Sequence, residues 1–314
     1  MANKKVIAVI GSTGMQGGGL CDAILNDPAG GFACRAVTRD PSKEPARALA
    51  ARGAEVVKAD LDDVESLKRA FAGAYGAYCV TNFWEHFSAE KEKAQAKNLA
   101  EACRATGVKH IIWSTLEDTR TLMADDDTRM PILQERYRVP HFDAKGEADE
   151  HFADLPATYL IVSFYWDNLY KFGLSPKRGE DGTYSWSFPM GTSRLAGIAS
   201  EDIGKTAYGI FKAGAPYFGK RVGIAAESLT IDEMGKKMSR ALGIGPITYH
   251  AVEPDAYRAS GFPGADEMGN MFQVYRDFEK EVVGARIPEL TRSLNPELKT
   301  FDQWLASNKD KLAV

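Results

Sequence analysis

Residues 6–10, Val-Ile-Ala-Val-Ile, form an unbroken apolar run, the pattern of a strand buried on both faces. A helical period follows, with Leu20, Ile24 and Leu25 on one face. The alternation then repeats. Ala33–Thr38, Glu55–Ala59, Tyr75–Val80, Val108–Ser114 and Thr158–Ser163 read as strands. Ala46–Arg52, a stretch opening at Asp62, a long stretch from Ser88 to Thr106, and His141–Ala153 read as helices. Gly53 and Gly107 stand where helices stop, Ser88 where one starts, and Asp62 with Glu65 has capping-box spacing. Strict alternation of apolar strands and helices predicts an α/β fold with a doubly wound parallel sheet of the Rossmann type.

The pattern loosens after residue 164, where glycine and aromatics dominate 165–197. Glu201–Ala213 is a predicted helix. Thr230 with Glu233 and Thr300 with Gln303 are capping boxes, Gly243 closes the first of those helices, and Trp304 and Leu305 lie on the second. Residues 1–163 are therefore expected to form the dinucleotide-binding domain. Residues 164–314 are expected to form a smaller α+β domain, with part of 194–230 returning to pack on the sheet. The polar stretch 115–140 reads as a mobile loop.

The first strand ends in Gly11-Ser-Thr-Gly14-Met-Gln-Gly17, three glycines at intervals of three before a helix. A strand, a tight glycine turn and a helix start together make a pyrophosphate site, because the backbone can approach the ligand and free N–H groups face its charge. The second strand ends Thr38-Arg39-Asp40-Pro41-Ser42-Lys43. Arg39 and Lys43 suit the 2′-phosphate of NADP(H), which favours that cofactor over NAD(H). Arg39 also has a plain reading as a solvated surface cation. Asp40 either binds a ribose or begins an Asp-Pro turn, the favoured reading. Asp60 and Leu61 follow the third strand, where adenine contacts fall, although helix capping also explains Asp60 and Asp62. Phe83 and Trp84, after the fourth strand, are cofactor contacts or packing residues.

Short-chain dehydrogenase chemistry needs a serine after the fifth strand and Tyr-x-x-x-Lys on one helix face. Ser114 is in place; the helix reads His141-Phe-Asp-Ala-Lys145, with the lysine but no tyrosine. Tyr208-x-x-x-Lys212 matches only by chance, coming too late in the chain. His141 is either a structural contact or, less favoured, a substitute acid. No catalytic residue is assigned.

Composition narrows the partners. The net charge of −4 gives no nucleic-acid or anionic-membrane footprint, and no apolar run is long enough to span a bilayer. The first strand begins too early to leave room for a signal peptide. The cysteines at 21, 34, 79 and 103 lack metal spacing and read as buried hydrophobes in a reducing, cytoplasmic compartment.

Several segments together resemble the NmrA-like family of atypical short-chain dehydrogenases, nearest to its HSCARG-type NADPH sensors. They are 11–18, 37–41, 80–85, His-Phe-Asp-Ala-Lys-Gly-Glu at 141–147, Phe-Tyr-Trp-Asp-Asn-Leu at 164–169, Gly-Phe-Pro-Gly-Ala at 261–265 and 294–305. The resemblance implies bound NADP(H), loss of the catalytic tyrosine and a role in reading the NADPH/NADP⁺ balance. It leaves room for a regulated partner protein and a homodimer. Carried over by position, it implies cofactor contacts from Gly11, Ser12, Thr13, Gly14, Met15, Gln16, Arg39, Lys43, Asp60, Leu61, Thr81, Asn82, Phe83, Lys145, Tyr165, Trp166, Asp167 and Asn168. The family's cofactor-contacting lysine falls about one residue after Lys93, so a substitution by Lys93 stays open. The alternative function is an NADPH-dependent reductase of a quinone-like or other conjugated acceptor.

Overall fold

The structure is a computed structural model that describes residues 4–124 and 126–312. The first half runs β1 (Lys5–Val9), α1 (Met15–Leu25), β2 (Phe32–Thr38), α2 (Glu44–Ala51), β3 (Glu55–Lys58), α3 (Val64–Phe71), β4 (Gly76–Cys79), α4 (Ala89–Thr106), β5 (His110–Thr115), α5 (Pro140–Ala148) and β6 (Ala157–Ile161). Then come β7 (Phe164–Tyr165), α6 (Asn168–Lys171), β8 (Lys177–Arg178), β9 (Tyr184–Phe188), β10 (Arg194–Ile198), α7 (Ser200–Ala213), β11 (Arg221–Gly223), β12 (Glu227–Thr230), α8 (Ile231–Leu242) and β13 (Ile247–Ala251). Helices α9 (Pro254–Arg258), α10 (Ala265–Asp277), α11 (Glu279–Gly284), α12 (Pro288–Leu294) and α13 (Phe301–Asn308) finish the described chain.

The main sheet has seven strands in the order β11-β6-β5-β4-β1-β2-β3, all parallel. This is the predicted doubly wound sheet, with one strand added from far down the chain. The order reverses at β1, which pairs with β2 on one side and β4 on the other. Ligands of such sheets bind outside the carboxyl ends of the strands at this reversal. Two three-stranded sheets, β12-β10-β7 and β13-β9-β8, belong to the second half.

Apolar side chains fill both faces of the main sheet. One face carries Ile7, Val9, Tyr78, Ile112 and Leu160, continuous with the second half; the other carries Ala8, Ile10, Ala77, Ile111 and Trp113 beneath α3 and α4. Helix α1 lies very close to α7. A Cβ at Gly19 would meet the Glu201 carbonyl oxygen at 2.6 Å, and one at Gly204 would strike the Gly19–Leu20 backbone. Only glycine at both positions permits this crossing.

Caps formed largely as the spacing predicts. The Ser88 hydroxyl accepts from the Lys91 N–H, Thr230 and Thr300 form reciprocal capping boxes, and Gly107 and Gly243 end their helices in the left-handed conformation. One cap moves. Asp63, not Asp62, caps α3, accepting from the Glu65 and Ser66 N–H groups at 3.1 Å. Asp62 instead accepts from Gln95 and pairs with Lys91 on α4. Both ends of the stretch expected to be a mobile loop, near Thr119 and at 130–139, are tied to α5 or to each other. The buried Asp143 carboxylate accepts from the N–H groups of Thr119, Arg138 and Val139, and Arg138 donates to the Met130 carbonyl. All four cysteines are buried free thiols.

Candidate cofactor site at the carboxyl edge

Gly11 sits at φ 63°, a left-handed conformation that a side chain disfavours, and Gly14 starts α1 with its N–H donating to the Gly11 carbonyl. A Cβ at Gly17 would lie 2.7 Å from the Ile10 carbonyl oxygen and still nearer that of Gly11. No side chain caps the first turn of α1, and no carboxylate stands in it. Its N–H groups are therefore free to meet an anion, with the positive end of the helix dipole behind them. These features fit a dinucleotide pyrophosphate. Gly11, Thr13 and Gly14 are exposed along the turn, and Met15 and Gln16 are half-buried. Ser12 is different: its hydroxyl is buried and donates to the Val37 carbonyl at 2.9 Å, so its side chain fastens the turn to β2.

The carboxyl ends of β2 and β3 bring in the next residues. Arg39 is exposed, and its guanidinium forms a two-pronged pair with Glu85 at 2.8 and 2.9 Å. Lys43 is exposed at the start of α2. Asp40 accepts from the Ser42 N–H and hydroxyl, so it builds the turn, as favoured. Asp60 likewise accepts from the Asp62 N–H but remains exposed, and the Leu61 carbonyl accepts from Asn98.

Beyond β4 the character changes. The Thr81 hydroxyl donates to Glu92 at 2.6 Å and accepts from Lys145 at 2.6 Å, and Lys145 pairs with Glu92 at 2.9 Å. His86 faces the other Glu92 oxygen at 3.3 Å. Glu92 is fully buried. Burial alone would raise its pKa; the Lys145 charge, the facing His86 and the hydrogen bond from Thr81 outweigh this and pull it down to about 2. Lys93, one residue on, faces away toward Glu90 and Glu147, each at 3.0 Å. Asn82 is exposed, whereas the Phe83 ring is buried against Trp84, Phe87 and His141, so its side chain serves packing.

Gln16 gathers the hydroxyls near β5 and β7. Its side-chain oxygen accepts from Ser114 at 2.8 Å and from Tyr78, and its nitrogen donates to Tyr165. Burial holds both phenols well above their ordinary pKa. His141 bonds through Nδ1 and its backbone N–H to one carboxylate oxygen of Glu267 on α10, and its ring lies 5.0 Å from that of Trp84. The Tyr208 match lies elsewhere, on α7, with its hydroxyl on Asp27 and its ring near Phe32 at the amino end of β2.

Two expected cofactor side chains are committed to the core. Trp166 packs with its ring centroid 5.2 Å from Phe301 and 6.1 Å from Trp304, because close-packed Gly197 lets the indole in. Asp167 accepts from the Ser200 N–H and the Tyr170 hydroxyl, both at 2.8 Å, which holds the start of α7. Asn168 keeps a buried side-chain oxygen with no hydrogen-bond partner among the described residues.

The profile of the NmrA-like family matches residues 3–305. The chain belongs to the NmrA-like family. An NmrA-like family domain-containing oxidoreductase, FrzB, from Cladobotryum sp is 27% identical over 281 residues, spanning 85% of this chain and 82% of the relative. NmrA, a negative transcriptional regulator solved in complex with NADP, superposes with TM-score 0.77 at 23% identity, covering 96% of this chain and 94% of the other. The Citrobacter sp. triphenylmethane reductase complexed with NADP(H) superposes with TM-score 0.73 at 18% identity, covering 97% and 99%. The family thus holds named oxidoreductases, and the fold is shared by a regulator and a reductase.

Sequence reading missed three members of this NmrA-like site: Glu85, Glu92 and Glu267. Glu92 left a signal. It shares the buried face of α4 with Ala89, Ala96, Leu99 and Cys103, where a carboxylate breaks an apolar stripe. Glu267 left none, since its partner His141 is 126 residues away in sequence.

Proposed function

We propose that this protein binds NADP(H) and acts as a redox sensor or regulator responding to cofactor occupancy, without the proton relay of short-chain dehydrogenases. One observation carries this reading: each candidate proton donor at the carboxyl edge already has an internal partner. Lys145 is bound to Glu92 and Thr81, His141 to Glu267, and Ser114, Tyr78 and Tyr165 to Gln16. Among the described residues no cation acts on Tyr78 or Tyr165 to make the phenol acidic enough to donate a proton at neutral pH.

The glycine turn at 11–17 would hold the pyrophosphate, Arg39 and Lys43 the 2′-phosphate, and Asp60 with Leu61 the adenosine side. Thr81, Asn82, Lys145, Tyr165 and Asn168 would border the nicotinamide. The bound cofactor supplies a hydride or, in the sensor, its occupancy alone. The four buried free thiols favour a reducing compartment such as the cytoplasm, and among the described residues no helix is long and apolar enough to cross a membrane. A sensor of this kind acts through a regulated partner protein.

A reductase of conjugated acceptors is the second reading. The aromatic cluster of Phe83, Trp84 and His141 after β4 favours it, since hydride transfer to a flat conjugated acceptor needs no protein acid.

Calorimetry with NADPH and NADH tests the cofactor: Arg39→Ala should weaken NADPH about ten- to a hundredfold and leave NADH unchanged, as for a charge-assisted contact. Equal affinities in the unaltered protein would sink the NADP(H) reading. NADPH consumption measured against aldehydes and quinones separates sensor from enzyme. Aldehyde turnover lost in His141→Phe makes His141 an acid and the sensor reading wrong; quinone turnover that survives in His141→Phe selects the reductase.

A further inference from the structure

We infer that Glu85 is a selectivity residue: its carboxylate competes with the cofactor's 2′-phosphate for Arg39, so that NADP(H), and not NAD(H), releases the turn carrying Glu85. This rests on the proposed NADP(H) site.

Glu85 fills the Nη1/Nη2 edge of the Arg39 guanidinium with both oxygens, so a phosphate taking that edge displaces it and one on the remaining Nε edge would stand beside a like charge. A carboxylate and a phosphate cannot occupy the same edge together. Glu85 lies in a single 3-10 turn, Phe83–Glu85, followed by Phe87 at φ 52°, a left-handed conformation that costs a non-glycine residue energy and persists only where its surroundings hold it. Besides the turn's own backbone bonds and the contact of His86 with Glu92, three sets of side-chain contacts tie it to other elements. Arg39 takes Glu85, and Gln134 bonds the Phe87 carbonyl at 3.1 Å and the Ala89 N–H at 2.9 Å. Trp84 and Phe87 close on Gly264, where a Cβ would sit 3.2 Å from each ring. Gly264 is the N-cap of α10, the helix whose Glu267 holds His141. Of the three, only the Arg39 contact is open to the cofactor. The pair is exposed, with side-chain accessibilities of 65% and 45%, so it is weak enough for a phosphate to break.

The test needs no turnover. Calorimetry with 2′,5′-ADP and 5′-ADP isolates the phosphate. Glu85→Gln should tighten 2′,5′-ADP and NADPH about two- to fivefold, the range of an exposed pair, and leave 5′-ADP and NADH unchanged. In an Arg39→Ala background the same change should do nothing. The Trp84 indole N–H resonance, assigned with Trp84→Phe, should shift with 2′,5′-ADP and stay put with 5′-ADP. Equal tightening of 5′-ADP, a gain that persists without Arg39, or an unmoved Trp84 signal overturns the inference. If the unaltered protein does not prefer 2′,5′-ADP at all, the NADP(H) assignment of Arg39 fails first. If the preference stands and Glu85→Gln changes nothing, only the role of Glu85 fails.

Discussion

The two sides of the strand reversal make opposite use of polar groups. On the β1-β2-β3 side, Gly11, Thr13, Gly14, Arg39 and Lys43 lie at the surface, and their one ion pair is exposed. On the β4-β5-β6 side, Thr81, Glu92, Ser114 and Lys145 are buried and bonded to one another or to Gln16. The first side is built to receive an anion at little cost in internal bonds. The second must break internal bonds before Thr81, Ser114 or Lys145 can act on a ligand. In the proposed function the nucleotide end of the cofactor would lie on the first side, and its reactive end would face groups already engaged.

The strongest challenge to this contrast is Lys145→Met. Removing the cation leaves Glu92 charged and buried, which should cost about 3–5 kcal/mol in urea unfolding. Arg39→Ala, on the exposed side, should cost under about 1 kcal/mol by the same measure. Comparable losses would erase the distinction.

Acid sharpens it. The Glu92 carboxylate is held below its unfolded pKa, so its contribution is complete above about pH 4.5 and is lost as pH falls toward about 2. The loss should be on the order of 3 kcal/mol. Glu92→Gln should flatten the stability–pH curve in that window, and an unchanged slope would show that Glu92 is not held ionised.

Glycine substitutions test the receiving side. Gly17→Ala forces a methyl onto the Gly11 and Ile10 carbonyls and should lower stability by about 1–3 kcal/mol. Gly14 has ordinary backbone angles, φ −95° and ψ −176°, and its nearest obstacle is the Gly11 oxygen at 3.1 Å. Gly14→Val should therefore keep a near-normal melting curve yet lose NADPH binding in calorimetry. A normal fold with binding intact would separate the turn from the cofactor.

Local signals carried most of the fold. The apolar runs, Ser88, Gly107, Thr230 with Glu233, and Thr300 with Gln303 act within a few residues, so spacing reveals them. The shift from Asp62 to Asp63 shows how small the margin is when adjacent carboxylates compete for one helix start. Spacing alone pointed to the glycine turn and to Arg39 with Lys43, whereas Thr81, Lys145, Tyr165 and Asn168 were reached through the family resemblance. Gln16 meets a partner 149 residues away, and Trp166 meets the α13 aromatics only because Gly197 leaves a gap for its ring. Such pairings depend on chain crossings that no periodicity records.

β11 has a consequence for how the protein must be made. It docks beside β6 through Arg221, Val222 and Gly223, about sixty residues after β6 ends. Until that segment leaves the ribosome, β6 presents a bare, apolar edge to its surroundings, a template for pairing with other nascent chains. A gene cut after the sixth strand should therefore yield aggregates rather than a separable nucleotide-binding fragment, and a chaperone would find its work in the interval between the two strands.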